Sequence, residues 1–380
     1  MGVEFKLGRQ DHKKVEDFLS RRPAGVAGIS IDASLIRYQA AATEAARTAN
    51  VDVVIEPLTE RLVWPGFEPD GLPYYEGHPI DLVRLRGSRA ARDDLVEQVL
   101  DVQHDIATRL VPPHFYVEDD ASAELNLRLA RHATRLAGST PVRPILVIKR
   151  KYAIAVATQL AEAYAQLGLD DIDLRVTPFG GDDESAQKIR SVFDVADAFR
   201  AAGVEVVLGC SGNIGQAAVA LGHAYRYSVG VGMKEKVDHV TAMSRQARPA
   251  DDDDNAGRFG PQAGVYLPGP AATVRRPVAH AMLADRDIRT RMVVASDRAD
   301  TTSADLPPIL ASTTSTLAPT KPRNSSTAHG PGEPRWSTID CSEPSIFEAS
   351  STHITSPKAP IRSRRERCAA CSRTSNTNNG

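Results

Sequence analysis

Acidic side chains close three successive apolar runs of this chain. Asp32 ends GISID (28–32), Glu56 ends the apolar part of VDVVIEP (51–57), and Glu118 stands in HFYVED (114–119), followed by Asp119 and Asp120. Carboxylates gathered in one place could hold a divalent cation, or one could serve as a general base with a raised pKa. The alternative is that one of them pairs with Lys149 as a structural ion pair. Lys149 ends PILVIK (144–149), a run of Ile, Leu and Val. A desolvated lysine there could form a Schiff base, act as a base or hold a substrate anion. The chain continues as Arg150 and Lys151, so at least one of these faces solvent.

A second constellation lies in VEVVLGCSGNIGQAAVALG (204–222). Gly209, Gly212 and Gly215 recur every three residues between a strand-like run and an Ala-rich helical stretch. Ser211 and Asn213 are placed to cap that helix, and N–H groups at a helix start bind anions. The helix end contributes only about 0.3–1 kcal/mol near a surface, so a phosphate needs a side-chain cation as well. RYSVGVG (226–232) supplies Gly230 and Gly232 and leads to Lys234, the candidate cation. The alternative is that the glycines only allow a tight corner to approach its neighbours. Cys210 lies just past the strand, near a helix N-terminus that would lower its pKa. No histidine is placed by the sequence to pair with it, so a buried, inert thiol is the preferred reading of its chemistry, and Cys210 is grouped with the ligand-binding residues of the corner. The insertion 58–88 concentrates Trp64, Phe67, Tyr74, Tyr75 and His78 in a chain with only 5% aromatic residues. It reads as an ordered flap over the site, with Trp64 and Tyr74 as ligand contacts, or else as a loop packed on outer helices.

These residues need a common frame. The runs named above, with IDLRVTP (172–178) and GVYLPG (264–269), make eight β-branched segments. They alternate with helical patterns at about 34–49, 89–110, 122–137, 151–168, 184–202, 213–223, 234–246 and 271–285. Unbroken apolar strands imply burial on both faces and parallel pairing. Eight such units predict an α/β (β/α)8 TIM-like barrel, with an open doubly wound sheet as the alternative. A further helix, 11–22, is expected to cap the barrel bottom. In such barrels chemistry sits at the C-terminal strand ends. The glycine corners follow the sixth and seventh of these runs, one strand early for the usual phosphate site of the fold.

The formal charge of −2, from 46 basic and 48 acidic residues, gives no electrostatic reason for general nucleic-acid or membrane binding. No secretory h-region and no 18-residue apolar run occur. Only four cysteines, Cys210, Cys341, Cys368 and Cys371, fit a reducing cytoplasm. Residues 1–290 are therefore expected to be a barrel domain carrying the 58–88 insertion. Residues 291–380 are rich in Ser, Thr and Pro without periodicity, so disorder is expected. Their composition is what a shifted reading frame of a GC-rich gene produces. CAAC (368–371) has metal-ligand spacing, but one such pair reads as two chance cysteines, and DDDD (251–254) reads as solvated.

Two resemblances bear on function. SGNIGQAAVALG resembles the Ser-Gly-Asn-x-Gly-Gln loop of fold-type II pyridoxal-phosphate enzymes, which implies an open sheet and a cofactor lysine upstream. KRKYA (149–153) departs from that lysine motif, and the eightfold alternation disagrees. RYSVGVGMKEKVDHV (226–240) is similar to the Arg-Tyr-x-x-Gly-Val-Gly strand of tRNA-guanine transglycosylase barrels. The family's nucleophilic aspartate is absent where GVYLPGP stands, and its Cys-x-Cys zinc cluster is missing, so no residue is carried over. The expectation is a cytoplasmic barrel enzyme acting on a small anionic, phosphorylated or unphosphorylated ligand by acid–base or metal-assisted chemistry. Its catalytic residues would be Lys149, Glu118, Glu56 and Asp32. The alternative is a non-catalytic binding or regulatory barrel. The sequence specifies neither a cofactor, nor a metal, nor an oligomeric state.

Overall fold

A computed structural model describes residues 2–9, 11–69, 71–181, 184–230, 235–248, 264–267, 272–285 and 287–288. The chain divides into two units, Met1–Thr338 and Ile339–Gly380, and every described residue belongs to the first. The expected disordered tail, its reading frame, CAAC, DDDD, Gly232 and Lys234 lie outside the described residues.

Seven parallel strands and one irregular segment close into a ring of eight staves. They are Gly2–Leu7, Val26–Asp32, Asp52–Glu56, the segment 109–117, Ile145–Lys149, Asp171–Thr177, Glu205–Leu208 and Arg226–Gly230. The first stave pairs in parallel with both the second and the eighth. The fourth is held by isolated bridges, Val54 to Arg109 on one side and Leu110 to Val142 and Val117 to Ile148 on the other. There the Val117 N–H donates to the Val147 carbonyl at 2.9 Å, and the Lys149 N–H donates to Val117 at 2.8 Å. Helices follow the staves on the outside: α1 (His12–Ser20), α2 (Ala40–Thr48), α3 (Leu82–Gly87), α4 (Arg89–Asp101), α5 (Asp120–Leu136), α6 (Arg150–Ala165), α7 (Ala186–Ala201), α8 (Gly212–Leu221) and α9 (His239–Gln246). The chain is a (β/α)8 barrel.

The sequence expectation was right in class and wrong in count at both ends. Val3, Phe5 and Leu7 alternate with Glu4 and Lys6, the period-2 pattern of a strand. That stretch is the first stave, so the helix expected to cap the bottom is instead the first outer helix, packed against α2. GVYLPG is not a barrel strand. Gly264–Leu267 pairs antiparallel with Ala272–Arg275 in a separate two-stranded sheet, ahead of α10 (Arg276–Ala284). The closed ring also removes the open sheet that the pyridoxal-phosphate resemblance implied. Moving the count by one places the glycine corners after the seventh and eighth staves, where the fold's phosphate sites usually lie.

Outward-facing Ile29, Ile31, Val53, Ile55, Leu146, Ile148, Ile172, Leu174 and Val206 are fully buried beneath the helices. The lumen is different. An apolar cluster of Val54, Val111, Ile145 and Val147 fills one side, and charges fill the rest. Arg143, 1% exposed, donates from Nη1 to both oxygens of Glu4 at 2.9 and 2.8 Å and from Nε to Asp171 at 2.9 Å. Arg226 bridges Glu4 (3.1 Å) and Asp52 (2.6 Å), and Arg109 joins Asp52 at 3.0 Å. Glu4 lies on the first stave and Arg143 just ahead of the fifth, and these staves are not neighbours, so their contact crosses the lumen. Three arginines thus meet three carboxylates at the N-terminal end, where each loses its hydration and needs the others.

Removing one partner leaves the rest buried and unpaired. Arg143→Met is expected to lower the unfolding free energy by about 3–5 kcal/mol in urea denaturation. Arg21→Met, which breaks the exposed pair with Asp17, is expected to leave it nearly unchanged.

Candidate functional site

A cavity of about 580 Å³ opens at the C-terminal end of the ring, within the size range of small-molecule sites. Lys6, Asp32, Val147, Arg175 and Cys210 come to it from stave ends. Leu58, Glu60, Arg61 and Gly66 come from the insertion, and Lys236, Asp238, His239, Met243, Arg245 and Gln246 from the segment after the eighth stave.

The floor is built around Glu56, 1% exposed at the end of the third stave. Its carboxylate accepts from Arg175 Nη1 and Nη2 at 2.8 Å each, from Lys6 Nζ at 2.5 Å, and from Ser30 Oγ. Burial alone would raise its pKa, but Arg175 and Lys6 outweigh this and hold it well below the usual carboxylate range. Lys6 also lies 3.0 Å from Asp32. Burial disfavours its ammonium, yet Asp32 and Glu56 keep it protonated beyond the ordinary lysine range. Arg175 completes the floor through Asp173, with Nη2 to Oδ2 at 2.6 Å. Gly209 is required here, because a Cβ would fall 2.0 Å from Asp173 Oδ1 and 2.7 Å from Arg175 Cγ.

The walls are held from two directions. Gly66, with φ +82°, runs so close to α9 that a Cβ would meet the Gln246 carbonyl at 2.0 Å. Arg61 Nε donates to Gln246 Oε1 at 3.1 Å, and Gln246 Nε2 donates back to the Arg61 carbonyl at 3.0 Å. The insertion is therefore tied to the mouth, as an ordered cover requires. Glu60 faces His114 at 3.2 Å. Burial would raise the Glu60 pKa, but His114 outweighs it and brings it to about 2. His239 is 6% exposed and stacks on Tyr116 with ring centroids 4.7 Å apart. Its Nε2 is buried without a hydrogen-bond partner, and burial lowers its pKa, so the imidazole is neutral near pH 7.

The sequence-derived residues separate into groups. Asp32 and Glu56 meet at the floor, but both Glu56 oxygens are taken by cations. Among the described residues no group of three His, Cys, Asp or Glu side chains is placed to hold a metal ion. Glu118 and Lys149 pair with each other at 3.2 Å, 52% and 46% exposed, and do not line the cavity. The expected desolvation of Lys149 is thus corrected: its side chain leaves the last residue of a strand toward solvent. Asp119 caps α5, accepting from the Ser122 N–H at 2.8 Å. Ser211 does not cap α8; its hydroxyl donates back to the Leu208 carbonyl at 2.7 Å. Gly212, with φ +50°, lies against Glu235, and Asn213 stands in the first turn of α8. Gly230 ends the eighth stave opposite Lys6. Trp64 is half-exposed on the cover, and its carbonyl accepts from Gln246 at 3.3 Å. Tyr74 is buried, donating to the Pro57 carbonyl at 2.9 Å, and lines a separate cavity of about 80 Å³. Cys210 has φ +50° and lines the main cavity.

Lys6, Arg175, Glu60 and His239 were missed. Lys6 and Arg175 carry a readable signal, since each is the polar member of an alternating strand. Glu60 and His239 lie on connecting segments and carry none.

No family model matches the chain, and no curated protein is similar to it. Two solved structures from Toxoplasma gondii ME49, assigned as deoxyribose-phosphate aldolases, are similar at 11% and 10% identity with TM-scores of 0.36 and 0.37. They cover 65% and 66% of this chain and 93% of their own. A 3-dehydroquinate dehydratase from Enterococcus faecalis is similar at 8% identity with a TM-score of 0.34, covering 65% of this chain and 92% of its own. No helix among the described residues is long and apolar enough to cross a membrane.

The depressed Glu60 pKa has a consequence for stability. A carboxyl lowered on folding contributes stability that is complete above its unfolded value and fades as the pH falls toward about 2. Glu60→Gln is expected to flatten the loss of stability between pH 4.5 and 2, read from urea unfolding at a series of pH values.

Proposed function

We propose that this barrel is an enzyme that binds a small organic anion at its C-terminal mouth and performs acid–base chemistry on it. The observation that carries this reading is the composition of one cavity. Five cationic side chains, Lys6, Arg61, Arg175, Lys236 and Arg245, line it together with a neutral, buried imidazole. Lys6 and Arg175 are committed to Glu56, Asp32 and Asp173, so they set the field of the floor more than they bind. Arg61 stands on the cover, Lys236 ahead of α9 and Arg245 on α9 itself, where an arriving anion meets them. This ring of cations surrounds the place where (β/α)8 enzymes carry their chemistry.

Asp32 and His239 are the titratable groups suited to proton transfer. Asp32 lies 3.0 Å from Lys6 Nζ, and His239 has a ring nitrogen with no partner in the protein. A neutral imidazole whose pKa lies below the working pH accepts a proton from a bound ligand and returns it. Lys6 in the floor fixes Asp32 and the Tyr116 ring in the wall fixes His239, so both are in place without reorganisation. Glu56 has a supporting part, since it fixes Lys6 and Arg175 and touches nothing in the cavity itself.

The test is a thermal-shift screen of the full chain against inorganic phosphate, small phosphate esters and small carboxylates, each with a neutral analogue. Anions are expected to raise the melting temperature while their neutral analogues do not. The double variant Lys236→Ala, Arg245→Ala is expected to weaken the best anion by about tenfold or more, as loss of two charge-assisted contacts would. Stabilisation by neutral or cationic compounds alone would contradict the reading.

A further inference from the structure

The seventh stave ends in a turn built to present one side chain. Cys210 adopts a left-handed backbone, φ +50°, which a residue with a side chain seldom takes. Its N–H donates to Ser228 Oγ at 2.7 Å, and the next N–H, of Ser211, donates to the Ser228 carbonyl at 2.9 Å. Glycines stand wherever a Cβ would disturb the turn. At 209 it would strike Asp173 and Arg175, at 212 the Glu235 carboxylate at 2.5 Å, and at 215 Ser211 Oγ at 2.1 Å. The result is a sharp strand-to-helix corner whose half-buried thiol lines the main cavity beside Lys6 and Arg175.

The second, independent observation is His239. It is more than nine-tenths buried, it lines the same cavity, and its Nε2 has no partner in the protein. A buried polar atom left unpaired is costly and calls for a group that the ligand or the reaction supplies. The thiol and the imidazole reach the cavity from different parts of the chain, one from the seventh stave end and one from α9.

We propose that Cys210 is a catalytic nucleophile and His239 its proton acceptor, acting on a small anion that carries an aldehyde or ketone carbonyl. This rests on the small-anion reading of the cavity and adds the reacting group. In the step, the Cys210 S–H proton passes to His239 Nε2 and Sγ bonds to the carbonyl carbon. The C=O π pair moves to oxygen, which takes the proton back from the imidazolium. The sum is addition of S–H across C=O, giving a hemithioacetal with no co-reactant. Burial outweighs the pull of Arg175 and Lys6 and pushes the Cys210 thiol up, so the resting group is the neutral thiol and a base has to take its proton.

The experiment is alkylation of the full-length protein by iodoacetate and by iodoacetamide, followed at each cysteine by peptide mass spectrometry. Cys341, Cys368 and Cys371 serve as internal references. The ratio of iodoacetate to iodoacetamide rates is expected to be higher at Cys210 than at the references. His239→Gln, checked for folding by circular dichroism, is expected to slow both reagents at Cys210 by about tenfold and leave the references unchanged. Millimolar glyoxylate is expected to protect Cys210 alone, and this arm decides in the wild type should His239→Gln fail to fold. If His239→Gln slows both reagents without any preference for iodoacetate, the nucleophile stands and the anion reading falls. The proposal is overturned if Cys210 is not alkylated in the folded protein, if folded His239→Gln reacts as the wild type does, or if glyoxylate gives no protection.

Discussion

A carboxylate with almost no access to water, Glu56, sits at the centre of the C-terminal half of the barrel, and the mouth is arranged around its needs. Taking such a group out of water costs several kcal/mol unless cations and hydrogen bonds replace the solvent. Arg175 reaches it from the sixth stave, Lys6 from the first and Ser30 from the second. The first three staves are neighbours and the sixth lies across the ring from them, so one ion cluster ties the wall together through the lumen. Asp173 and Asp32 then hold the outer sides of the two cations. The same logic recurs at the other end with Glu4, Arg143 and Asp171. Interiors of this fold are usually filled by branched apolar side chains. Here only one side of the lumen is apolar, and paired charges do the filling elsewhere.

The arrangement has consequences for register. A strand slip by one residue turns every side chain to the other face. In most barrels that would exchange apolar side chains for one another on surfaces that both tolerate them. Here it would carry Lys6, Asp173 and Arg175 beneath the helices and strand Glu56 without partners. The ion clusters therefore hold the staves in one alignment as well as shaping the floor. Gly209 belongs to the same constraint, since only hydrogen fits between the seventh stave and the Asp173–Arg175 pair.

How much of this was legible in the sequence follows from where the information resides. The alternation of short β-branched runs with long helical patterns is local, and it led directly to eight units and a closed ring. The first stave escapes a reading by apolar runs because a third of Gly-Val-Glu-Phe-Lys-Leu is charged, although its alternation is plain. The GVYLPG run reads as an eighth stave because composition alone does not say which partner a strand will find. Asp32, Glu56 and Cys210 were legible as residues at strand ends. Their partners were not, because Arg175 and Glu56 are 119 positions apart and meet only through closure. Lys149 and Glu118 show the converse. Both stand at strand ends, yet their side chains turn outward and pair in water, where such contacts add little. His239 and Glu60 had no signature at all, because each is brought to the mouth by a loop whose course depends on contacts elsewhere, such as Gly66 against α9.

The central claim is that the floor of the mouth is one energetically coupled unit spanning the lumen. A double-mutant cycle between Glu56→Gln and Arg175→Met, read from urea unfolding, tests it most directly. The account predicts strong non-additivity, with a coupling of about 2–3 kcal/mol between the two positions. Losses that add to within about 0.5 kcal/mol would contradict it, because they would mean that two groups drawn in contact across the barrel do not depend on each other.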